Sequence, residues 1–458
     1  MLNFISFTFI FAILLYNKLN MKKIIFILTF FIYFGFWWVF YSTNINSLPL
    51  QSEDILPSVF TGISLVKDNT IYLNNYYEMM VSKYPQPDDS SRTPFYLKKV
   101  GDNYLSAFPI LSSIVTYPIF LVYLQFVPEV NWQDVYNLSH LSGAFVVSLS
   151  SVLFYFLLIN VFKFSNRTSL WLTIVYSFAT VNLSLVSQGL WQHGVVQLFL
   201  ILGFIYFYKK NYFLMTLFLG FGILARPTAA IVLLILGIFI ILRKDLNFRN
   251  TAYSIFGVLI PLTFFLIYNQ VYYQDISNQG YAGQLLDSWI GNFPESFFGI
   301  WLSPSKGILV YSPVLIFSLI AVYKGFKKEE YLKISFWVIL LHTLVLSKWK
   351  HWYGGFGYGY RMISDILPFL VLPLGFLLQN YYEKIKKWFF ITLILSILIH
   401  FSGLIFFDSI WHNAYDTGFK NTSWLWSIEN SEAIFNIRRV LVKGGFLEQA
   451  CEKCAPGY

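Results

Sequence analysis

The chain has little charge. Asp, Glu, Lys and Arg make up 12% of its 458 residues, about half of what a soluble domain carries. No polar stretch is long enough to bury a core of its own, which excludes a separate cytosolic catalytic domain. The longest polar interval, 42–104, is the size of a loop or subdomain. Cysteine is nearly absent. Cys451 and Cys454 form a lone CxxC near the C-terminus, without the second half of a zinc site or the βαβ surroundings of a redox motif. The pair reads as incidental, or as bonded if the tail is external. Two marks of a transporter are also missing, an inverted repeat and ionisable residues at mid-span.

What is there is apolar. Hydrophobic residues make up 57% and aromatics 21%. Apolar runs of roughly 16 to 23 residues recur almost from end to end, as in an all-α polytopic membrane protein. The net charge of +9 would suggest a nucleic-acid partner in a soluble chain. Here the basic residues fall in short clusters between apolar runs, as topogenic charge does, so the partner is the lipid bilayer and not nucleic acid.

Those clusters orient the chain, because cytoplasmic loops are enriched in Lys and Arg. They are Lys18/Lys22/Lys23, Lys163/Arg167, Lys209/Lys210, Arg243/Lys244/Arg249, Lys324/Lys327/Lys328 and Lys384/Lys386/Lys387. With all of them inside, about eleven spans follow, at 24–41, 140–162, 168–186, 193–208, 211–225, 228–242, 251–270, 308–323, 331–347, 363–379 and 388–407. Residues 1–23 are then a cytoplasmic N-terminus, or in part a spurious extension, since Met21 followed by two lysines looks like a natural start. The run 24–41 reads as an uncleaved signal anchor, and 408–458 as an external tail. The stretch 105–127 is long enough to span but contains Pro109 and Pro118. Crossing there would turn every later cluster outward. It is therefore expected to be re-entrant or interfacial, inside a large external loop, 42–139.

The basic residues that this scheme leaves outside are Arg226, Lys306, Lys348, Lys350 and Arg361. Each sits near a helix end, and an external anion would explain them: Arg suits bidentate phosphate contact and Lys acts as a point charge. Three of them lie in "KWKHWYGGFGYGYR", 348–361, beside His351. Its glycines permit close backbone approach. Its aromatics suit an interfacial belt or stacking on a sugar ring. Trp191, Gln192 and His193 reach the same face, as do Ser303 and Ser305. The acidic counterpart is Glu53–Asp54, just past the first span. Such carboxylates can deprotonate a hydroxyl or help hold a divalent ion, or can be a solvated surface pair.

The ordered pieces "EDILP" (53–57), "LVKDNTIYLNNYY" (65–77), "YLSAFPIL" (104–111), "LWQH" (190–193), "LARPT" (224–228), "LSPSKGILVYSP" (302–313) and "HWYGGFGYGYRMISDILPFL" (351–370) carry a resemblance. Over about 24–380 the chain resembles the GT-C superfamily of polyprenyl-phosphate-sugar-dependent glycosyltransferases, in particular members related to protein mannosyltransferases and lipid A aminoarabinose transferases. The resemblance implies a GT-C-like fold with a catalytic acid in the first external loop, here Asp54 with Glu53 beside it. It implies phosphate or sugar contacts from Arg361, Arg226, Lys306, Lys350, His351 and His193. It also implies a lipid-phosphate-linked hexose or pentose as donor and an active site on the external face of a prokaryotic plasma membrane. Metal is left open, with a divalent cation as one possibility, and so is the acceptor: glycan, lipid or protein. Two features depart from the pattern. Tyr360 stands where many relatives have proline before the arginine, and no large external C-terminal domain follows. Asp365, four residues after Arg361, is a candidate structural partner for it. A surface-polysaccharide polymerase or ligase is the alternative, and a lipid-linked-sugar flippase the next.

Overall fold

A computed structural model describes residues 20–45, 48–85, 93–276, 288–451 and 454; the expectation about residues 1–20 falls almost wholly outside them. Asn20 caps α1 (Met21–Ser42), its side chain accepting from the Lys22 N–H. The following region is folded, not extended. A single 3₁₀ turn, Glu53–Ile55, leads into α2 (Leu56–Lys67). Then come α3 (Tyr77–Lys83), an antiparallel hairpin of β1 (Leu97–Val100) and β2 (Asn103–Ser106), and α4 (Leu111–Leu124). The stretch 105–127 is thus the end of a strand followed by a helix with Pro118 inside it. That helix packs along α2, where the Ser113 hydroxyl donates to the Ser58 carbonyl at 2.6 Å.

The rest is helical. It runs through α5 (Trp132–Phe156), α6 (Asn166–Phe178), α7 (Gln192–Tyr208), α8 (Tyr212–Ala225), α9 (Ala230–Leu242) and α10 (Phe248–Tyr268). After these come α11 (Glu295–Leu302), α12 (Ile308–Tyr311), α13 (Ile316–Gly325), α14 (Glu330–Leu346), α15 (Leu367–Val371), α16 (Leu374–Asn380), α17 (Tyr382–Phe406), α18 (Ile410–Tyr415) and α19 (Glu432–Lys443). Two expected spans are broken where proline removes a backbone donor and clashes with the preceding turn. Residues 308–323 divide at Pro313, and 363–379 at Pro373. Cys451 and Cys454 are disulfide-bonded, so the pair is not merely incidental.

Among the described residues, five helical stretches are long and apolar enough to cross a membrane: Met21–Ser42, Trp132–Val161, Phe248–Tyr273, Met362–Asn380 and Tyr382–Phe406. Their outer faces fit that solvent. Ile255, Phe256, Leu259 and Ile260 on α10, and Trp388, Ile394, Leu395 and Leu398 on α17, are all exposed. Apolar patches of that extent are rare on proteins surrounded by water and ordinary on helices surrounded by lipid. Helices approach closely through small residues. A Cβ on Gly257 would lie 2.4 Å from the Phe213 carbonyl oxygen, so α10 lies against the backbone of α8. The molecule is an all-α membrane protein with one small hairpin among its described residues.

Candidate active site

Four separate stretches converge on one cleft. The first is the turn before α2. Ser52 caps it, Ile55 and Leu56 are buried anchors, and Glu53 and Asp54 face outward from a helix N-terminus, where the helix dipole favours negative charge. The second is the start of α7, with Trp191, Gln192 and His193. The third is the break between α8 and α9. A residue before proline is driven out of the helical region, and Arg226 is extended, with φ −154°, before Pro227. That break turns its side chain inward. The fourth is the Gly-rich loop before Arg361. Gly354 has φ +89°, and a Cβ there would lie 2.8 Å from the Arg361 Cβ. Only glycine fits this turn, which folds the loop back on its own arginine.

Arg361 is the hub. Its guanidinium forms an ion pair with Asp54, donates to the Gly354 carbonyl at 3.2 Å and lies over the Trp191 ring at 4.3 Å. Its Nε is 3.4 Å from His193 Nε2, which Arg226 also approaches, at 3.1 Å. Guanidinium groups only donate, so Nε2 is the acceptor and the ring proton sits on Nδ1. From there it is donated to Asp365 Oδ1 at 2.7 Å. The other Asp365 oxygen takes Arg226 Nε and the Thr228 hydroxyl, each at 3.0 Å. A neutral histidine therefore holds two arginines side by side, with a buried carboxylate behind it.

The cleft is about 590 Å³. Glu53, Asp54, Arg226, His351 and Arg361 line it, with aromatic walls that include Tyr84, Phe95, Trp349 and Phe356. Glu53 makes no side-chain hydrogen bond or ion pair among the described residues. Burial, and then the neighbouring Asp54 charge, raise its carboxyl above the ordinary glutamate value. His351 lies 3.0 Å from the Tyr353 hydroxyl and is lowered by burial, then by Lys350. Beside the cleft runs an apolar groove of about 210 Å³ between α9 and α14, lined by Ile231, Val345, Leu346 and Trp289. Arg226, Trp349 and Met362 belong to both. A larger hollow of about 760 Å³, between α4 and α5, is lined by apolar side chains and Tyr123 and holds none of the candidate residues.

The structure brings together Glu53, Asp54, Arg226, His351 and Arg361 in the cleft wall, with His193 directly beneath. It does not bring Lys306 or Lys350 there. The expectation that Lys306 meets an external phosphate is corrected: its ammonium is buried 2.8 Å from Glu432 Oε1 and donates to the Gly357 carbonyl at 2.7 Å. Lys350 lies over the Phe419 ring at 5.4 Å, outside the cleft wall. Asp365 pairs with Arg226 and His193, not with Arg361. Glu432 was missed. It lies 126 positions from Lys306 in a stretch with no motif, so no local signal marked it. Among the described residues no group of three or more His, Cys, Asp and Glu side chains is placed to hold a metal ion.

Compared with known proteins, the chain matches no family model, no curated protein and no solved structure.

Proposed function

We propose that the chain is an integral-membrane glycosyltransferase that moves a sugar from a polyprenyl-phosphate donor to an acceptor hydroxyl, with inversion, at the external face of the plasma membrane. The observation that carries this reading is the shared wall of cleft and groove: Arg226 borders both a charged, aromatic-walled cleft and an apolar channel between helices. An amphipathic substrate fits that pairing, with its phosphate at the arginines and its first isoprene units in the groove. The about eleven spans, the external loop 42–139 and the external tail 408–458 belong to the same proposal.

Asp54 is the base of this reaction. The donor phosphate, arriving at Arg361, competes for the guanidinium that now holds Asp54 and so frees the carboxylate. Asp54 then takes the proton of the acceptor hydroxyl, whose oxygen attacks the anomeric carbon. The bond from that carbon to the phosphate oxygen breaks, and polyprenyl phosphate leaves with the electron pair. Arg361 and Arg226 stabilise the charge developing on the leaving group. Fixed donors in a site that excludes water act strongly there, because they need no reorganisation as the charge appears.

The test is sugar transfer from a radiolabelled polyprenyl-phosphate-sugar pool in membranes, at matched expression of wild type and Asp54→Asn. The expected loss is on the order of 10²- to 10⁴-fold, the usual contribution of a general base. Undiminished transfer would move the base to Glu53. Absence of wild-type transfer from every donor tried would overturn the reading in favour of a polymerase or a transporter.

A further inference from the structure

The segment after α17 carries no motif, yet it reaches the floor of the Gly-rich loop. The Ser303 hydroxyl donates to the Leu425 carbonyl at 2.8 Å, and Trp411 and Leu425 are buried. Arg439 pairs with Asp408 at 2.7 Å, and Lys443 donates to the Ile45 carbonyl at 2.7 Å, which fastens the C-terminal half of α19. The first residue of α19 is Glu432, fully buried. One of its oxygens faces the Lys306 ammonium at 2.8 Å. The other accepts from the Tyr311 hydroxyl at 2.7 Å and from the Gly359 backbone N–H at 2.9 Å.

The geometry is that of a clamp. Lys306 grips the carbonyl of Gly357 and Glu432 grips the N–H of Gly359. Arg361 follows two residues on. Gly359 itself has φ +73°, and a Cβ there would lie 3.1 Å from the Tyr311 ring, so this turn has no slack for a side chain. His412 closes the cluster, 3.3 Å from the Lys306 ammonium, with its ring stacked on Phe356 at 4.7 Å. A buried ion pair is weak evidence for stability, since desolvation offsets most of its attraction. Here each partner has a second contact on the loop, and the contacts are at alternate residues of the segment that carries the cleft's central cation.

We propose that Glu432 is a positioning residue. Presented by the C-terminal segment, it clamps Lys306 and the Gly357–Gly359 backbone so that Arg361 is held in the cleft against Asp54. Its kinetic consequence rests on the glycosyltransferase reading; its structural consequence does not.

Removing Glu432 alone would leave a buried lysine charge without a partner and endanger folding. The decisive variant is therefore Lys306→Met with Glu432→Leu, since apolar replacement of a whole buried pair is often tolerated. Two readouts are taken on the full chain. In the first, a Phe356→Cys probe reports loop order through its rate of reaction with a membrane-impermeant maleimide. The native cysteines are disulfide-bonded, and the chain without the probe serves as the blank. In the second, the donor concentration for half-maximal transfer is measured at matched amounts of folded protein.

The expected result is several-fold faster labelling and a half-saturating donor concentration raised on the order of 10- to 100-fold, as a misplaced binding group produces. An unchanged half-saturating concentration together with an unchanged maximal rate per folded molecule would mean that the pair only stabilises the protein, and would overturn the proposal. An unchanged labelling rate would overturn it whatever the activity. If no donor supports transfer even in wild type, the glycosyltransferase reading fails, while the labelling rate still decides for or against the clamp.

Discussion

The guanidinium of Arg361 makes four contacts with the protein, to Asp54, the Gly354 carbonyl, His193 and the Trp191 ring, and still lines the cleft. A lysine at 361 would keep the charge and lose the planar fork. Arg361→Lys is therefore expected to lower transfer on the order of 10²-fold, the effect of removing one fixed donor to a developing anion, as read in the same membrane assay. Glu53 allows a prediction that does not depend on the reaction. Its folded-state carboxyl is raised above the ordinary glutamate value, chiefly by burial and then by Asp54. Below the unfolded value both states hold the proton and Glu53 adds no penalty. As pH rises through the raised folded value, the folded state must accommodate a charge that the unfolded state carries more easily, and stability is lost. Glu53→Gln should therefore raise the thermal unfolding midpoint in detergent at neutral pH, and that gain should vanish as pH falls below the unfolded value. An equal gain at both pH values would show that charge is not the cause. At this scale, Arg226 and Arg361 were legible because the topology expected from the charge clusters leaves them on the side where positive charge is unusual. The same expectation picked out Lys306, whose partner Glu432 is remote in sequence, and no local pattern distinguishes a buried ion pair from an open phosphate site.

The elements were legible to the extent that each is an apolar run of its own. Helices α1, α7, α8 and α14 begin and end close to the limits that composition and flanking charge suggest. Where helices break, hydropathy is blind, because the runs around Pro313 and Pro373 remain largely apolar while the backbone changes direction. The crossing of α8 and α10 was equally hidden: Gly257 looks like any glycine in a helix, but a Cβ there would meet Thr216 Oγ1 at 2.1 Å. Gly237, on α9, has nothing within 4 Å of the same position. The two make a matched pair. Gly257→Ala should force the helices apart at a cost of about 1–3 kcal/mol, the range for overpacking a tight contact. Gly237→Ala should be neutral or stabilising by up to about 1 kcal/mol, the helix-propensity gain over glycine. Thermal midpoints in detergent, compared with wild type, separate the two; equal effects would mean that this crossing is not a close one in the folded protein.

At the scale of the whole molecule, one ion pair constrains the topology. Asp54 and Arg361 meet in the same cleft, so the chain must cross the membrane an even number of times between them. The proposed spans from 140–162 to 331–347 satisfy this, and so do those between Asp54 and Arg226. A further crossing at 105–127 would make both counts odd and would place the carboxylate and the arginines on opposite faces. The charge clusters lead to the same arrangement independently, since that crossing would also turn them outward. Single cysteines at exposed positions can test it, because the native pair is disulfide-bonded and contributes no free thiol. Lys244→Cys lies in a basic cluster between α9 and α10, and Lys420→Cys in the tail beyond α18; both sites are exposed. A membrane-impermeant maleimide applied to intact cells should label Lys420→Cys, and should reach Lys244→Cys only after permeabilisation. Lys99→Cys, on the hairpin before the disputed stretch, should be labelled in intact cells under either topology and so controls for access. The reverse pattern, with Lys244→Cys labelled outside and Lys420→Cys protected, would require 105–127 to cross. The Asp54–Arg361 pair, and the cleft built around it, would then have to be abandoned.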